Sequence, residues 1–132
     1  MILARNPALL FAAALLVAPA LAHADGADKK QKGTFVAVSD LAATALRLDG
    51  GHGVMTVEAG LDIPDPVLRN YADLSEPRLR EAFAQVLQIY AGGLAPGRPP
   101  DVDYMARQFQ AAADRVLGRP GSRLLLGGVM VN

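Results

Sequence analysis

The apolar residues of this chain change their spacing at Pro64 and change it again after Pro120. Before Pro64 they alternate, the period of a half-buried strand. Between the two prolines they recur every three or four residues, the period of an amphipathic helix. After Pro120 they run together. Strands followed by a helical block and a closing strand can bury all their apolar faces as a layer of helices laid on a sheet. The expected fold class is therefore α+β: a small, mostly antiparallel sheet of three N-terminal strands plus one C-terminal strand, with two to three helices packed on one face.

The local signals give the boundaries. Residues 34–39 (Thr-Phe-Val-Ala-Val-Ser) and 43–48 read as short strands, and residues 54–63 as a third. Asp49-Gly50-Gly51-His52-Gly53 lies between the last two and reads as a hairpin turn, because glycine reaches the positive φ values that tight turns require. In 54–63, Met55, Val57, Ala59, Leu61 and Ile63 share one face, with Thr56, Glu58, Gly60 and Asp62 on the other. Pro64 and Pro66 end the strand. Asp65 is placed to cap a helix over 66–74, with Pro66 at its favoured first position. Ser75 is placed to cap a second helix, whose stripe is Leu79, Phe83, Val86, Leu87 and Tyr90, and which Gly92-Gly93 closes. Asp101 is placed to cap a third, with the stripe Val102, Met105, Ala106, Phe109, Ala112, Ala113, Val116 and Leu117. Gly118 and Pro120-Gly121 then turn the chain into 123–131. That run is almost wholly apolar, which predicts a central strand covered on both faces, and its Gly127-Gly128 predicts a bulge or a close backbone approach.

The N-terminus reads as an export signal. Arg5 supplies a positive start, residues 8–21 an apolar run broken by Pro19, and Ala22-His23-Ala24 the small-x-small ending that a signal peptidase needs. The run falls short of the roughly 20 apolar residues of a bilayer crossing. The expected organisation is a signal peptide over 1–24, recognised through Ala22 and Ala24 and cleaved so that the mature chain begins near Asp25, a disordered linker over 25–33 and one α+β domain over 34–132. The expected location is the periplasm, with no stable transmembrane anchor after cleavage. Cysteine is absent, so neither a lipoprotein anchor nor a disulfide is available, and stability must come from packing. The formal net charge of +0 lacks the basic excess of a nucleic-acid binder.

Catalytic constellations are sparse. His52 is the one histidine beyond the signal, and no cluster of ligating residues surrounds it. No serine sits in a nucleophile elbow. The Gly50-Gly51-x-Gly53 run lacks the Lys-Ser/Thr of a phosphate loop and leads into a strand. Two carboxylate pairs, Asp62 with Asp65 and Asp101 with Asp103, have the residue type of a glycosidase site, although strand-end and helix-cap roles account for them as well. Arg119 and Arg123 follow the end of the third helix. They read either as cations at the negative end of its dipole or as a partner-contact patch. An apolar ligand pocket under the helices would be lined by Phe83, Tyr90, Met105 and Phe109.

Taken in order, Leu61-Asp62-Ile63-Pro64-Asp65-Pro66, the Pro-Arg-Leu-Arg-Glu-Ala helix start at 77–82, the later Ala113-Asp114-Arg115-Val116-Leu117 and the apolar last strand resemble the periplasmic domain of the FliL family of flagellar basal-body-associated proteins. The resemblance spans residues 34–132. It implies a stomatin-like α+β domain that associates with membrane motor components and self-assembles. Members of that family keep an N-terminal transmembrane helix, where this chain carries a signal of the cleavable type. The expected function is that of an exported, non-enzymatic interaction protein without cofactor or metal, its partner an envelope or motor protein or further copies of itself. The alternative is a small periplasmic ligand-binding protein or a carboxylate-dependent hydrolase.

Overall fold

A computed structural model of the protein describes residues 33–132. The expected signal peptide, its cleavage site at Ala22, Ala24 and Asp25, and the linker up to residue 32 lie outside the described residues. The fold is α+β, with elements in the order β1 (Phe35–Leu46), β2 (His52–Asp62), α1 (Pro66–Leu74), α2 (Glu76–Gly93), α3 (Val102–Leu117) and β3 (Arg123–Val131). The sheet is antiparallel with β2 in the middle, in the order β1-β2-β3.

The two N-terminal stretches expected at 34–39 and 43–48 are the two halves of β1, divided by a bulge. Val38 pairs with Ala59 and Leu41 with Val57, so β1 spends one more residue than β2 over this step. An extra residue reverses which side chains face inward. Val36 and Val38 are buried before the bulge, and Leu41, Ala43 and Ala45 after it. That reversal is what makes one strand read as two.

The hairpin turn closes with Arg47 N–H donating to the Gly51 carbonyl at 2.9 Å. Gly50 takes a φ of 82°, and the Asp49 carboxylate accepts from Gly51 N–H at 2.9 Å. On β2 the expected alternation holds: Met55, Val57, Ala59, Leu61 and Ile63 are all buried against the helices.

Helix α1 starts as its sequence requires, with Asp65 Oδ1 accepting from Val67 N–H at 3.0 Å ahead of Pro66. Asp101 Oδ1 caps α3 by accepting from Tyr104 N–H at 2.9 Å, and Gly118 ends it in the left-handed conformation at φ 74°. Ser75 departs from its expected role. It holds the N-cap position of α2, but its side chain makes no capping bond. It is buried in the turn between α1 and α2, where its backbone N–H bonds back to Tyr71 and Ala72.

Helix α2 lies against β1, α3 against β3, and the two helices pack on each other. Their buried faces are Leu79, Phe83, Leu87 and Ala91 on α2 and Met105, Phe109, Ala112, Ala113 and Leu117 on α3. At the centre the Phe83 and Phe109 rings meet with centroids 5.1 Å apart and planes tilted by 57°. This is a favourable aromatic arrangement at the point where both helices touch the sheet.

The closing strand corrects a second expectation. β3 is an edge strand, not a central one, and none of its residues is fully buried. Its apolar run reads as doubly covered because both faces and the edge are apolar, yet only its helix-facing residues, Leu124, Leu126 and Val129, pack on the core. The expected bulge is present at Gly127-Gly128: Val57 pairs with Val129 and Ala59 with Leu126. The bulges of β1 and β3 thus both stand opposite the same Val57–Ala59 step of β2.

Candidate functional site

The corner after β2 gathers the charged residues that the sequence singles out. Arg119 pairs with Asp65 at 2.9 Å and Arg123 with Asp62 at 3.3 Å. Arg69 Nη1 donates to the carbonyls of Ile63 at 2.9 Å and Pro64 at 3.2 Å. Three arginines therefore clamp Asp62-Ile63-Pro64-Asp65, and Arg119 and Arg123 tie the end of the helical block to the exit of β2. Both ion pairs are solvent-exposed, a setting in which a pair contributes between zero and about 1 kcal/mol. Asp101 and Asp103 lie at the start of α3, Asp101 as its cap. The two carboxylate pairs thus fall at separate element ends, with structural partners for Asp62, Asp65 and Asp101. His52 is exposed at the start of β2, and among the described residues no three His, Asp or Glu side chains converge as metal ligands.

The edge of β3 is different. Val54 and Asn132 exchange both backbone bonds at 3.1 Å. In an antiparallel ladder the bonding direction alternates residue by residue, so Val131 and Val129 aim their N–H and C=O groups away from β2. Beyond the bulge the phase is reversed, and Leu124 and Leu126 aim outward. The Leu124 N–H confirms it: it donates to Oε1 of Gln110, on α3, at 2.8 Å. Gln110 is itself held by donating to the Ser122 carbonyl at 2.9 Å and to Asp114 at 3.1 Å. On the open face Glu58 reaches across to the bulge and accepts from Gly128 N–H at 3.3 Å. Side chains thus satisfy one amide at the start of the strand and one in the bulge. From Leu126 onward, Leu126, Val129 and Val131 present backbone that no strand pairs with among the described residues.

An edge strand of this kind is ordinarily guarded by lysine, proline or an inward-pointing charge. Between Leu124 and Val131 there is no such residue, and the bulge at Gly127-Gly128 is what blunts the edge. The face of the sheet remote from the helices is apolar as well, with Phe35, Val54, Leu125 and Met130 exposed. The Thr56 hydroxyl is buried in that face with no hydrogen-bond partner among the described residues.

A second feature lies on the helical side. Helices α2 and α3 and the 94–101 loop between them line a cleft of about 550 Å³. Tyr90 and Met105 line it, two of the four residues expected around a ligand pocket. Phe83 and Phe109 do not, being fully buried core. The edge was visible in the sequence as an uncharged apolar run. Its position at the margin was not, because that is decided by which strands pair. Among known proteins, no family model matches the chain and no curated protein is significantly similar to it.

Proposed function

We propose that the protein is an exported, non-enzymatic contact module that assembles with a second copy of itself through the edge of β3. The uncharged, partly unpaired edge carries this reading. Its bulge supplies the register. Outward-facing residues are Leu124 and Leu126 before the bulge and Val129 and Val131 after it. An antiparallel partner must match outward residue to outward residue. A two-fold axis between Gly127 and Gly128 does so, setting Leu126 opposite Val129 and Leu124 opposite Val131 of the second copy. On the open face Leu125 then meets Met130, and at the ends Arg123 meets Asn132. No like charges are brought together, and side chains from the same face of each sheet remain on one face. The product is a continuous antiparallel sheet, β1-β2-β3-β3-β2-β1, with helices on one side. Gln110 must release the Leu124 N–H for the outermost pair to form completely, which leaves the Leu126–Val129 pairs as its centre.

The FliL-like order of elements is compatible with such assembly, and an envelope protein offering a strand to the same edge is the alternative partner. Sedimentation equilibrium tests the reading. The purified protein should populate a dimer that Leu125→Lys combined with Met130→Lys abolishes. Both substituted residues are exposed, so the variant monomer should keep its far-ultraviolet circular dichroism and melting temperature. A wild-type monomer throughout the accessible concentration range, or a dimer indifferent to both lysines, would exclude self-pairing at this edge.

A further inference from the structure

From the α2–α3 cleft we infer a binding site for a single-chain organic anion, a carboxylate or phosphate monoester on an apolar body. This inference is independent of the strand edge. The cleft's volume of about 550 Å³ lies within the range of roughly 300–1,000 Å³ typical of small-molecule sites. Its walls divide by chemistry. Ile89, Leu94, Pro99 and the buried Met105 make the apolar part, and Ile89 is 79% exposed there with nothing packed over it.

The polar groups are predominantly donors. Arg98 and Arg115 both line the cleft, and neither forms an ion pair among the described residues. The Tyr90 hydroxyl accepts from Asp101 N–H at 2.6 Å, which leaves its own O–H to donate. Asp101 is the one acid in the lining, with Oδ1 occupied by the α3 cap and Oδ2 left as an acceptor, while Tyr104 and Gln108 can donate or accept. At the loop end of the cleft, the Arg98 guanidinium and the Tyr90 phenol complement an anionic head, and the Arg115 guanidinium adds positive charge toward the far end of α3, so the lining favours an anion with an apolar body over a cation.

The site is also built before any ligand arrives. Its outer wall is the 94–101 loop, fixed by Pro96, Pro99 and Pro100 and by a turn in which Gly97 holds a φ of 75°. The Tyr90 ring packs beside Tyr104 at 5.9 Å, joining the loop end to both helices. A wall that is already ordered loses little entropy on binding.

The test is a calorimetric titration of the full chain with dodecanoate below its micellar concentration, in parallel with dodecanol and dodecylammonium. Dodecanoate should bind more tightly than either by about tenfold or more, the scale of one charge-assisted hydrogen bond. Arg98→Gln combined with Arg115→Gln should remove that preference while leaving the melting temperature unchanged, since both side chains are exposed. Tyr90→Phe, which keeps the ring but loses the hydroxyl and its bond from Asp101 N–H, should weaken dodecanoate more than dodecanol. Vesicles of phosphatidylglycerol separate a free amphiphile from a membrane: binding to vesicles with none to monomeric dodecanoate would overturn the proposal. So would equal binding of all three chains, or an anion affinity that survives the double arginine variant. Loss of dimerisation in the lysine variants of β3 should leave dodecanoate binding intact, so the two readings stand or fall separately.

Discussion

The Glu58 carboxylate lies over the glycine pair of β3, accepting from Gly128 N–H at 3.3 Å. A Cβ on Gly127 would fall 2.8 Å from Glu58 Oε2 and 3.1 Å from its Cβ. One side chain of the central strand thus fills the space that the bulge leaves, and both bulges of the sheet flank it. Glu58→Ala should free the Gly128 amide and lower stability by about 0.5–1.5 kcal/mol, the usual net value of one hydrogen bond. Glu58→Gln, which keeps an acceptor, should cost less. Chemical denaturation of the two variants, compared at their midpoints, checks the order. Equal losses would show that the carboxylate does not hold the bulge.

The Phe83–Phe109 contact is the centre of the core, and both residues are fully buried. Phe109→Ala should cost about 3–5 kcal/mol, since a large cavity opens where sheet and both helices meet. Domains of this kind have about 5–15 kcal/mol in total, so thermal unfolding should shift strongly downward. A loss below about 1 kcal/mol would mean that the α3 stripe is not packed on the sheet.

Thr56 has a buried hydroxyl, on the face remote from the helices, with no partner among the described residues. Thr56→Val keeps the shape and removes the orphan group, so it should raise stability by about 1 kcal/mol. A fall in the denaturation midpoint would show that the hydroxyl does have a partner in solution.

Asp65 has two tasks, the α1 cap and the Arg119 pair. Arg119→Ala should change stability by less than about 1 kcal/mol, as exposed pairs do. Asp65→Ala should cost about 1 kcal/mol more, because the cap goes too. Asp65→Asn keeps the cap and should resemble Arg119→Ala. The difference between the two aspartate variants should persist in high salt, where the ion pair is screened.

The elements that the sequence states most clearly are those whose signals are local. Asp65-Pro66 and Asp101 mark the starts of α1 and α3, Gly118 marks the end of α3, and the alternation of 55–63 marks the buried face of β2. Two features were hidden for physical reasons. The β1 bulge reverses the inward face at residues 39–40, so a single strand carries two patterns. The margin position of β3 depends on long-range pairing, about which an apolar run is silent: a doubly covered strand and an uncharged edge have the same composition. The cleft depends on how α2, α3 and the 94–101 loop are placed in space, and of its residues Val86, Tyr90 and Met105 were recognisable, as members of the helical stripes.

The chain contains no cysteine, so single cysteines can report the β3 register directly. In the two-fold pairing Leu125 and Met130 of opposite copies form a non-hydrogen-bonded pair, with Cα atoms about 4.5 Å apart, within disulfide reach. Leu125→Cys and Met130→Cys proteins should therefore cross-link with each other on mild oxidation, giving a covalent heterodimer in preference to either homodimer. Absence of that heterodimer, or cross-linking of Leu125→Cys with itself at the same rate, would contradict pairing through this edge.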